Sequence, residues 1–344
     1  MREVTVLITA CGNVYMPGIT DSIKNNGERK IRLIGADMNH DDTILQMVDQ
    51  YYQVPRGDDP GYADAILDIC AKEHVDVVIP IMSVELEILA KNADRFAQAG
   101  VALSISNMES LKIANNKLSL FDFMQENGIP APKFCPVNTV ADVDLAIEKI
   151  GVPVVFKTTE GSGSRGMRII DPTKSRFDIL FHEKPTSAYV TLQDFKETLL
   201  EGQMPNMLAM EYLPGHEYSV DMVCDNGNVL YSLCRRGLNV QTSIILDGVV
   251  EDKPEIIRLC NQVAQKLKLT GNIGFDVKER ADGTPVIMEC NPRATAGISE
   301  FTASGVNLLY LNIKRCLGEP LPELTPRYGV IMKRRYQEMY YGGI

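Results

Sequence analysis

The chain has 344 residues, room for two or three domains with cores of their own. Its 35 Lys and Arg against 45 Asp and Glu leave a net charge of −10, which argues against nucleic acid or an anionic membrane as main partner. Hydrophobic content of 45% is ordinary for a globular protein, and no apolar run reaches membrane-spanning length.

The opening stretch, MREVTVLITACGN, lacks the basic start and long apolar core of a secretion signal and reads as a first strand. Val4–Thr9 is that strand, and a helical stretch runs through Ile19–Lys24. Ile31–Ala36 is a second strand, ending at Asp37. Helical spacing over Tyr62–Glu73, a strand at Val75–Met82, a helix at Val84–Ala99 and a strand at Val101–Ser106 complete an alternating pattern. That pattern predicts a parallel sheet covered on both faces, with ligands at the C-terminal strand ends. Asn107 caps a predicted helix running to Asn127, stopped by Gly128. The proline-rich IPAPKFCPV makes an extended connector, and Ala141–Ile150 is a further helix. Residues 175–206 have the least regular pattern and read as a surface segment. From Met207 the pattern turns antiparallel: Met207–Leu213, Glu217–Cys224, a DNGN turn and Val229–Cys234. A helix at about 253–268 and a hairpin of Ile273–Arg280 with Pro285–Cys290 follow. The eight cysteines are scattered and form no CxxC, which argues against a zinc site or disulfide framework and fits a reducing cytoplasm.

Three devices compete for the glycine loop in VVFKTTEGSGSRGM, residues 154–167. Gly161, Gly163 and Gly166 satisfy GxGxxG, but that fingerprint needs a following helix, and here the apolar β-branched MRIIDP follows. A Walker loop fails because Met167-Arg168 stands where Lys-Ser/Thr is required. The third device is a glycine-rich turn between antiparallel strands, folded over phosphates as a flap, with Lys157 on the entering strand. A plain solvent-exposed hairpin is the bland counterpart of that third reading.

The segment GFDVKERADGTPVIMECNPR, residues 274–293, carries the metal-ligand pattern. With Asp282-Gly283 as a two-residue turn, Ala281 faces Thr284 and Asp276 lies opposite Glu289. Two facing carboxylates repel, and a divalent cation between them removes the repulsion; oxygen ligands suit magnesium. Asn291 keeps the same face, and Arg293 follows within reach of a transferring phosphoryl group.

A mid-chain lysine, a glycine flap, MEYLPGHEYSVD and ECNPR, in this order, resemble the ATP-grasp superfamily, in its carbamoyl-phosphate-synthase-like branch of single-unit ligases. The resemblance covers essentially the whole chain. It implies an α/β, Rossmann-like pre-ATP-grasp domain with a parallel sheet at 1–110. An α+β ATP-grasp domain with antiparallel sheets follows at 111–320, divided near 205, with a C-terminal tail at 321–344. It implies ATP as substrate with Mg2+, or Mn2+ in its place. Lys117, preceded by Asn116 where the family often has Asp, and Lys157 match the two nucleotide-binding lysines. Gly161, Ser162, Gly163, Ser164, Gly166 and Met167 match the flap over the phosphates. Glu211 and Leu213 match the hinge that hydrogen-bonds adenine, with Met210 packing nearby, and Glu217 matches the acid on the ribose hydroxyls. Asp276, Glu289 and Asn291 match the metal ligands; Arg293, with Lys157, would act on the transferring phosphoryl group.

The implied reaction is attack of a carboxylate on the γ-phosphate of ATP, giving an acylphosphate that an amine or similar nucleophile then displaces. Partners would be a small carboxylate and an amine in the cytoplasm, with no nucleic acid and no membrane; a homodimer is common in the family. Loop Cys11–Gly18 is a candidate wall of the substrate pocket, and Arg235-Arg236 is either a carboxylate anchor or a surface pair. His216 is given no role. Two other classes compete. A dinucleotide-dependent oxidoreductase is disfavoured because ACGNVYMPG lacks GxGxxG. A non-catalytic nucleotide sensor would not need the metal ligands.

Overall fold

The computed structural model describes residues 2–161, 163–241, 244–335, 338 and 340. In the first hundred residues five short strands, β1 (Val4–Ile8), β2 (Ile31–Asp37), β3 (Gln50–Gln53), β4 (Val77–Ile79) and β5 (Ala102–Leu103), form one sheet in the order β3-β2-β1-β4-β5. All its neighbours pair in parallel. Helices α1 (Met16–Lys24), α2 (Tyr62–Glu73), α3 (Ser83–Lys91) and α4 (Ala93–Gln98) cover it. The strand order reverses between β1 and β4, so the loops leaving Ile8 and Ile79 flank the crevice where an open α/β sheet receives ligands. One wide helix over 84–99 was expected; the structure breaks it at Asn92, whose amide donates to the Ile88 carbonyl. The strand expected over 75–82 shrinks to three residues, and β3 was not foreseen.

The next segment holds α5 (Met108–Ala114), α6 (Lys117–Glu126), β6 (Phe134–Val137), α7 (Val140–Ile150), β7 (Val154–Thr158), β8 (Arg168–Ile170), α8 (Arg176–His182), α9 (Leu192–Leu200) and β9 (Met207–Glu211). Its four strands form an antiparallel sheet in the order β6-β9-β7-β8. The single helix expected over 107–127 is two. Asn116 turns extended (φ −118°, ψ 117°) and its side chain accepts from Ser119 N, which restarts the helix at Lys117. The stretch 175–206, read as irregular, contains α8 and α9, capped by Ser175 and Thr191 through the N–H groups of Asp178 and Asp194.

The remainder holds β10 (Glu217–Asp225), β11 (Asn228–Gln241), β12 (Ile244–Glu251), α10 (Pro254–Lys266), β13 (Gly271–Glu279), β14 (Pro285–Asn291), α11 (Ser299–Ala303), α12 (Leu308–Cys316) and β15 (Ile331–Lys333). The strands make a six-stranded sheet, β14-β13-β10-β11-β12-β15, antiparallel throughout. Strand β11 runs well past the expected Cys234, and β12 was not foreseen. The tail, whose pattern suits either a last strand or an interface, contributes β15, paired to β12.

One apolar core joins α6 and α10 to β10, β13 and β14, through Phe121, Tyr218, Cys260 and Phe275. A second joins β1, β2 and α1 to α11 and α12, with Val223, Leu233 and Val250 of the large sheet. The parallel sheet is thereby fixed against the six-stranded one, and a cleft opens where the two meet the four-stranded sheet.

Candidate active site

The hairpin β13–β14 forms the floor of the cleft. Asp276 lies opposite Glu289, as expected, but two departures from the expected register cancel to give that pairing. The turn has three residues rather than two. Arg280 N donates to Thr284 O, Gly283 N donates to Arg280 O, and Gly283 sits at φ +84°. This shifts the pairs near the tip by one residue, so Val277 faces Ile287. A bulge at Met288 restores the phase, and the Met288 carbonyl accepts from Lys157 Nζ at 3.2 Å.

Ser219 of β10 stands directly across from Asp276 and donates its hydroxyl to Oδ1 at 2.9 Å; Asn291 Nδ2 donates to Oδ2 at 3.1 Å. Burial, with Glu289 and then Glu217 nearby, holds the Asp276 carboxyl well above the usual carboxylate range. Glu289 goes the other way: burial alone would raise it, but the Lys117 and Lys157 ammoniums keep it below its ordinary value. The two acids thus share one site and titrate unequally. Burial also raises Glu217, with Glu289 adding and Lys278 opposing. Lys157 is buried, and burial reinforced by Lys117 pushes its ammonium down to about 8.

Lys117, at the first position of α6, ties the flap to the floor. Its Nζ donates to Gly161 O at 3.2 Å and lies 3.2 Å from Glu289 Oε2. The flap is the loop between the antiparallel β7 and β8, with Gly161, Gly163 and Gly166 at φ +98°, +70° and +74°. No helix follows it, in keeping with the hairpin reading over the dinucleotide and Walker ones. Ser162 lies outside the described residues.

The cavity measures about 330 Å³. Lys117, Lys157, Gly161, Gly163, Ser164, Met167, Glu217, Asp276, Glu289, Asn291 and Arg293 line it together. Four anticipated positions do not. Gly166 turns against Thr158, and Met210 and Leu213 are buried in the core. The Glu211 carboxylate is held by Arg280, at 2.7 and 3.0 Å, and by Lys133 N at 2.8 Å; any adenine contact there falls to the main chain. Arg293 donates to Asn291 Oδ1, Ser83 Oγ and Ala294 O. The expected loop 11–18 supplies Asn13 and Tyr15 to the cavity, and Met82 joins from the loop after β4. Of the arginine pair, Arg235 lines the cleft, while Arg236 binds Glu251 at 2.7 and 2.9 Å. Sequence reading missed Ser219, Thr295 and Arg334. Ser219 alternates with Glu217 on β10, a signal that was present; for Arg334 there was none, because the tail pattern does not reveal which edge it joins.

Among the described residues no three His, Cys, Asp or Glu side chains converge as a metal group. The donor set is two carboxylates and one amide, all oxygen ligands, and the electrostatic strain on Asp276 is the kind a divalent cation relieves. Among those residues, too, no helix is long and apolar enough to cross a membrane.

Residues 203–338 match a family model described as "ATP-grasp in the biosynthetic pathway with Ter operon", and residues 6–104 match one for a PylC-like N-terminal domain. A carbamoyl phosphate synthase large chain of Clostridium acetobutylicum is 26% identical over 286 residues, covering 79% of this chain and 25% of the relative. This chain thus spans about a quarter of that protein's length. In fold it resembles an L-amino acid ligase from Bacillus licheniformis, with TM-score 0.67, 18% identity and coverage of 92% of this chain and 75% of that one. It also resembles a biotin carboxylase from Campylobacter jejuni in complex with β-γ-ATP, with TM-score 0.69, 18% identity and coverage of 93% and 72%. Residues 203–338 thus carry an ATP-grasp family match and residues 6–104 a PylC-like one, while the flap and Lys117 lie between the two matched segments.

Proposed function

We propose that the protein is an ADP-forming ligase that activates a carboxylate with Mg-ATP and joins it to an amine or similar nucleophile. The observation that carries this reading is Lys117, whose ammonium touches both the flap carbonyl of Gly161 and the carboxylate of Glu289. A triphosphate under the flap would lie against the acid pair, because one side chain spans both. Asp276, Glu289 and Asn291 would hold Mg2+, or Mn2+ in its place, which neutralises phosphate charge as it develops.

The chain's own residues would do the rest. The positive-φ glycines let flap N–H groups approach phosphate oxygens, and Lys117 and Lys157 pair with them as point charges. Arg293, fixed by Asn291 and Ser83, faces the transferring group with a planar fork. The substrate carboxylate oxygen bonds to the γ-phosphorus as the bond to the β–γ bridging oxygen breaks and ADP leaves. The amine nitrogen then attacks the acyl carbon, expels phosphate and gives up a proton. The flap and the loop carrying Asn13 and Tyr15 would keep water from the acylphosphate. Glu217 would meet the ribose and the chain at 210–213 the adenine.

The test is thermal denaturation with Mg-ATP, ATP plus chelator, and NAD(H), followed by ADP release against pools of carboxylates and amines. Mg-ATP alone should stabilise, and one pool should release ADP. ATP that binds equally well with chelator and never turns over would favour a nucleotide sensor, and a response to NAD(H) a dinucleotide enzyme. Unchanged rates in both Asp276→Ala and Glu289→Ala would contradict the metal assignment.

A further inference from the structure

The turn between β4 and α3 stands on a buried carboxylate. Glu85, at the third position of α3, is 1% exposed and does not line the cavity. Its Oε1 accepts from Thr9 Oγ1 at 2.6 Å, Ile81 N at 2.9 Å and Met82 N at 2.8 Å, and Tyr62 OH donates to Oε2. Thr9 follows β1, Tyr62 opens α2, and Ile81 and Met82 belong to the turn itself, so one side chain gathers three segments beside the parallel sheet. A helix cap needs only the Met82 N–H among these donors. All of them are neutral, and burial pushes the Glu85 carboxyl above its ordinary value. Capping alone does not account for a carboxylate held where burial disfavours its charge. Gly57 packs so closely that a Cβ there would fall 2.8 Å from Glu85 Cβ, which keeps the side chain from swinging out.

The turn that Glu85 holds faces the cleft. Met82 lines the cavity, and its Sδ accepts from Tyr15 OH at 3.8 Å. Ser83 Oγ accepts from Arg293 Nε at 3.3 Å, and the Ser83 carbonyl accepts from Asn115 Nδ2 at 3.3 Å. The other acceptors of Arg293, Asn291 Oδ1 and the Ala294 carbonyl, lie on its own stretch of chain. Of these contacts, the one with Ser83 ties the guanidinium to the side of the parallel sheet.

We propose that Glu85 is a positioning residue for phosphoryl transfer, setting through the 81–83 turn the angle at which Arg293 meets the γ-phosphate. The proposal rests on the ligase reading above for the role of Arg293. Without the carboxylate, Ile81 N and Met82 N lose their shared acceptor, the turn is released and Ser83 leaves the guanidinium. A planar fork matches phosphate only from the right direction. A misplacement of about 1 Å in such a group costs on the order of a hundredfold in rate.

The experiment measures by calorimetry the affinities for Mg-ADP and for the Mg complex of β,γ-imido-ATP; their ratio reports the hold on the γ-phosphate. Arg293→Ala calibrates the fall when the fork is lost. Glu85→Ala should lower the ratio by about tenfold and leave the affinity for Mg-ADP within about twofold. Glu85→Gln keeps Oε1 for its donors and turns an amide toward Tyr62, whose hydroxyl then accepts, so the ratio should return. In the Arg293→Ala background, Glu85→Ala should lower the ratio no further, because it acts through the arginine. Ser83→Ala leaves the buried network whole and should also lower the ratio, which keeps the test decisive where Glu85→Ala does not fold. A merely structural Glu85 would lower Tm and leave the ratio alone. An unchanged ratio in Ser83→Ala or in folded Glu85→Ala, or a further fall in the Arg293→Ala background, overturns the proposal. So does a wild-type protein that holds β,γ-imido-ATP no better than ADP. None of these measurements needs turnover. ADP release in the pool assay with an unchanged ratio leaves the ligase reading standing without the positioning role. A lowered ratio in a protein that releases no ADP with any pool keeps the positioning of Arg293 and removes the ligase reading.

Discussion

Replacing Asp276 by Asn should make the metal-free protein more stable and its response to Mg-ATP weaker. Facing residues of an antiparallel pair have Cβ atoms about 5 Å apart, and two unit charges at that distance repel by about 3 kcal/mol at an effective dielectric near 20. Protonation sets a ceiling, since holding an ordinary aspartate neutral at pH 7 costs about 4 kcal/mol, so the repulsion estimate lies within bounds. Asn at 276 keeps a carbonyl oxygen for the Ser219 hydroxyl but presents N–H to Asn291 Nδ2. Asn291 Oδ1 is already taken by Arg293, so one hydrogen bond, about 1 kcal/mol, is lost. The net gain of about 2 kcal/mol corresponds to a rise of about 3 °C in Tm, at about 2.1 cal/mol/K of unfolding entropy per residue. Calorimetry in chelator should show that rise, while the increment given by saturating Mg-ATP, about 3 kcal/mol at a hundredfold excess over Kd, should largely vanish. A variant that melts lower in chelator, or keeps the full Mg-ATP increment, would refute the idea that these acids are strained partners awaiting a cation.

Glu300 makes stability depend on pH. Burial, with Asp221 adding and Arg235 opposing, raises its carboxyl from 4.5 to about 7, so over that window the unfolded chain binds fewer protons than the folded one. Stability should fall by about 3 kcal/mol as pH rises from about 4.5 to 7, and urea midpoints of Glu300→Gln should lack that slope. Gly297→Ala should displace the Arg235 guanidinium and cost about 1–3 kcal/mol in urea denaturation. Glu211→Ala releases Arg280 and Lys133 N and should cost about 1–2 kcal/mol in urea denaturation. Because that carboxylate does not line the cleft, the variant should still respond to Mg-ATP.

The parallel sheet, the antiparallel second half and the flap were legible because hydrophobic period and glycine placement are local signals. The pairing of Asp276 with Glu289 was read correctly through an incorrect turn, and the bulge that rescued it has no local marker in PVIMECN. Helices α8 and α9 went unread although Ser175 and Thr191 each precede an Asp by three residues. Exposed Phe177, Leu180 and Phe181 supply little of the one-sided burial that makes a helix recognisable. The split before Lys117 was hidden because Asn116 sits inside a continuous helical pattern, and capping there shows itself only once Lys117 N finds Thr159 O. Arg235 and Arg334 lie about a hundred positions apart along the chain, and only the β11–β12–β15 edge brings them together.

The offset between the tip and the base of the β13–β14 hairpin bears on how such a protein can diverge. The tip is one residue out of phase with the acids, and the irregularity at Met288 absorbs the difference while offering its carbonyl to Lys157. Insertions or deletions at the Arg280–Thr284 tip therefore need not reach the floor of the cleft, provided the kink beside it appears or disappears in step. The loop can then change length while the acid pair beneath it stays in register.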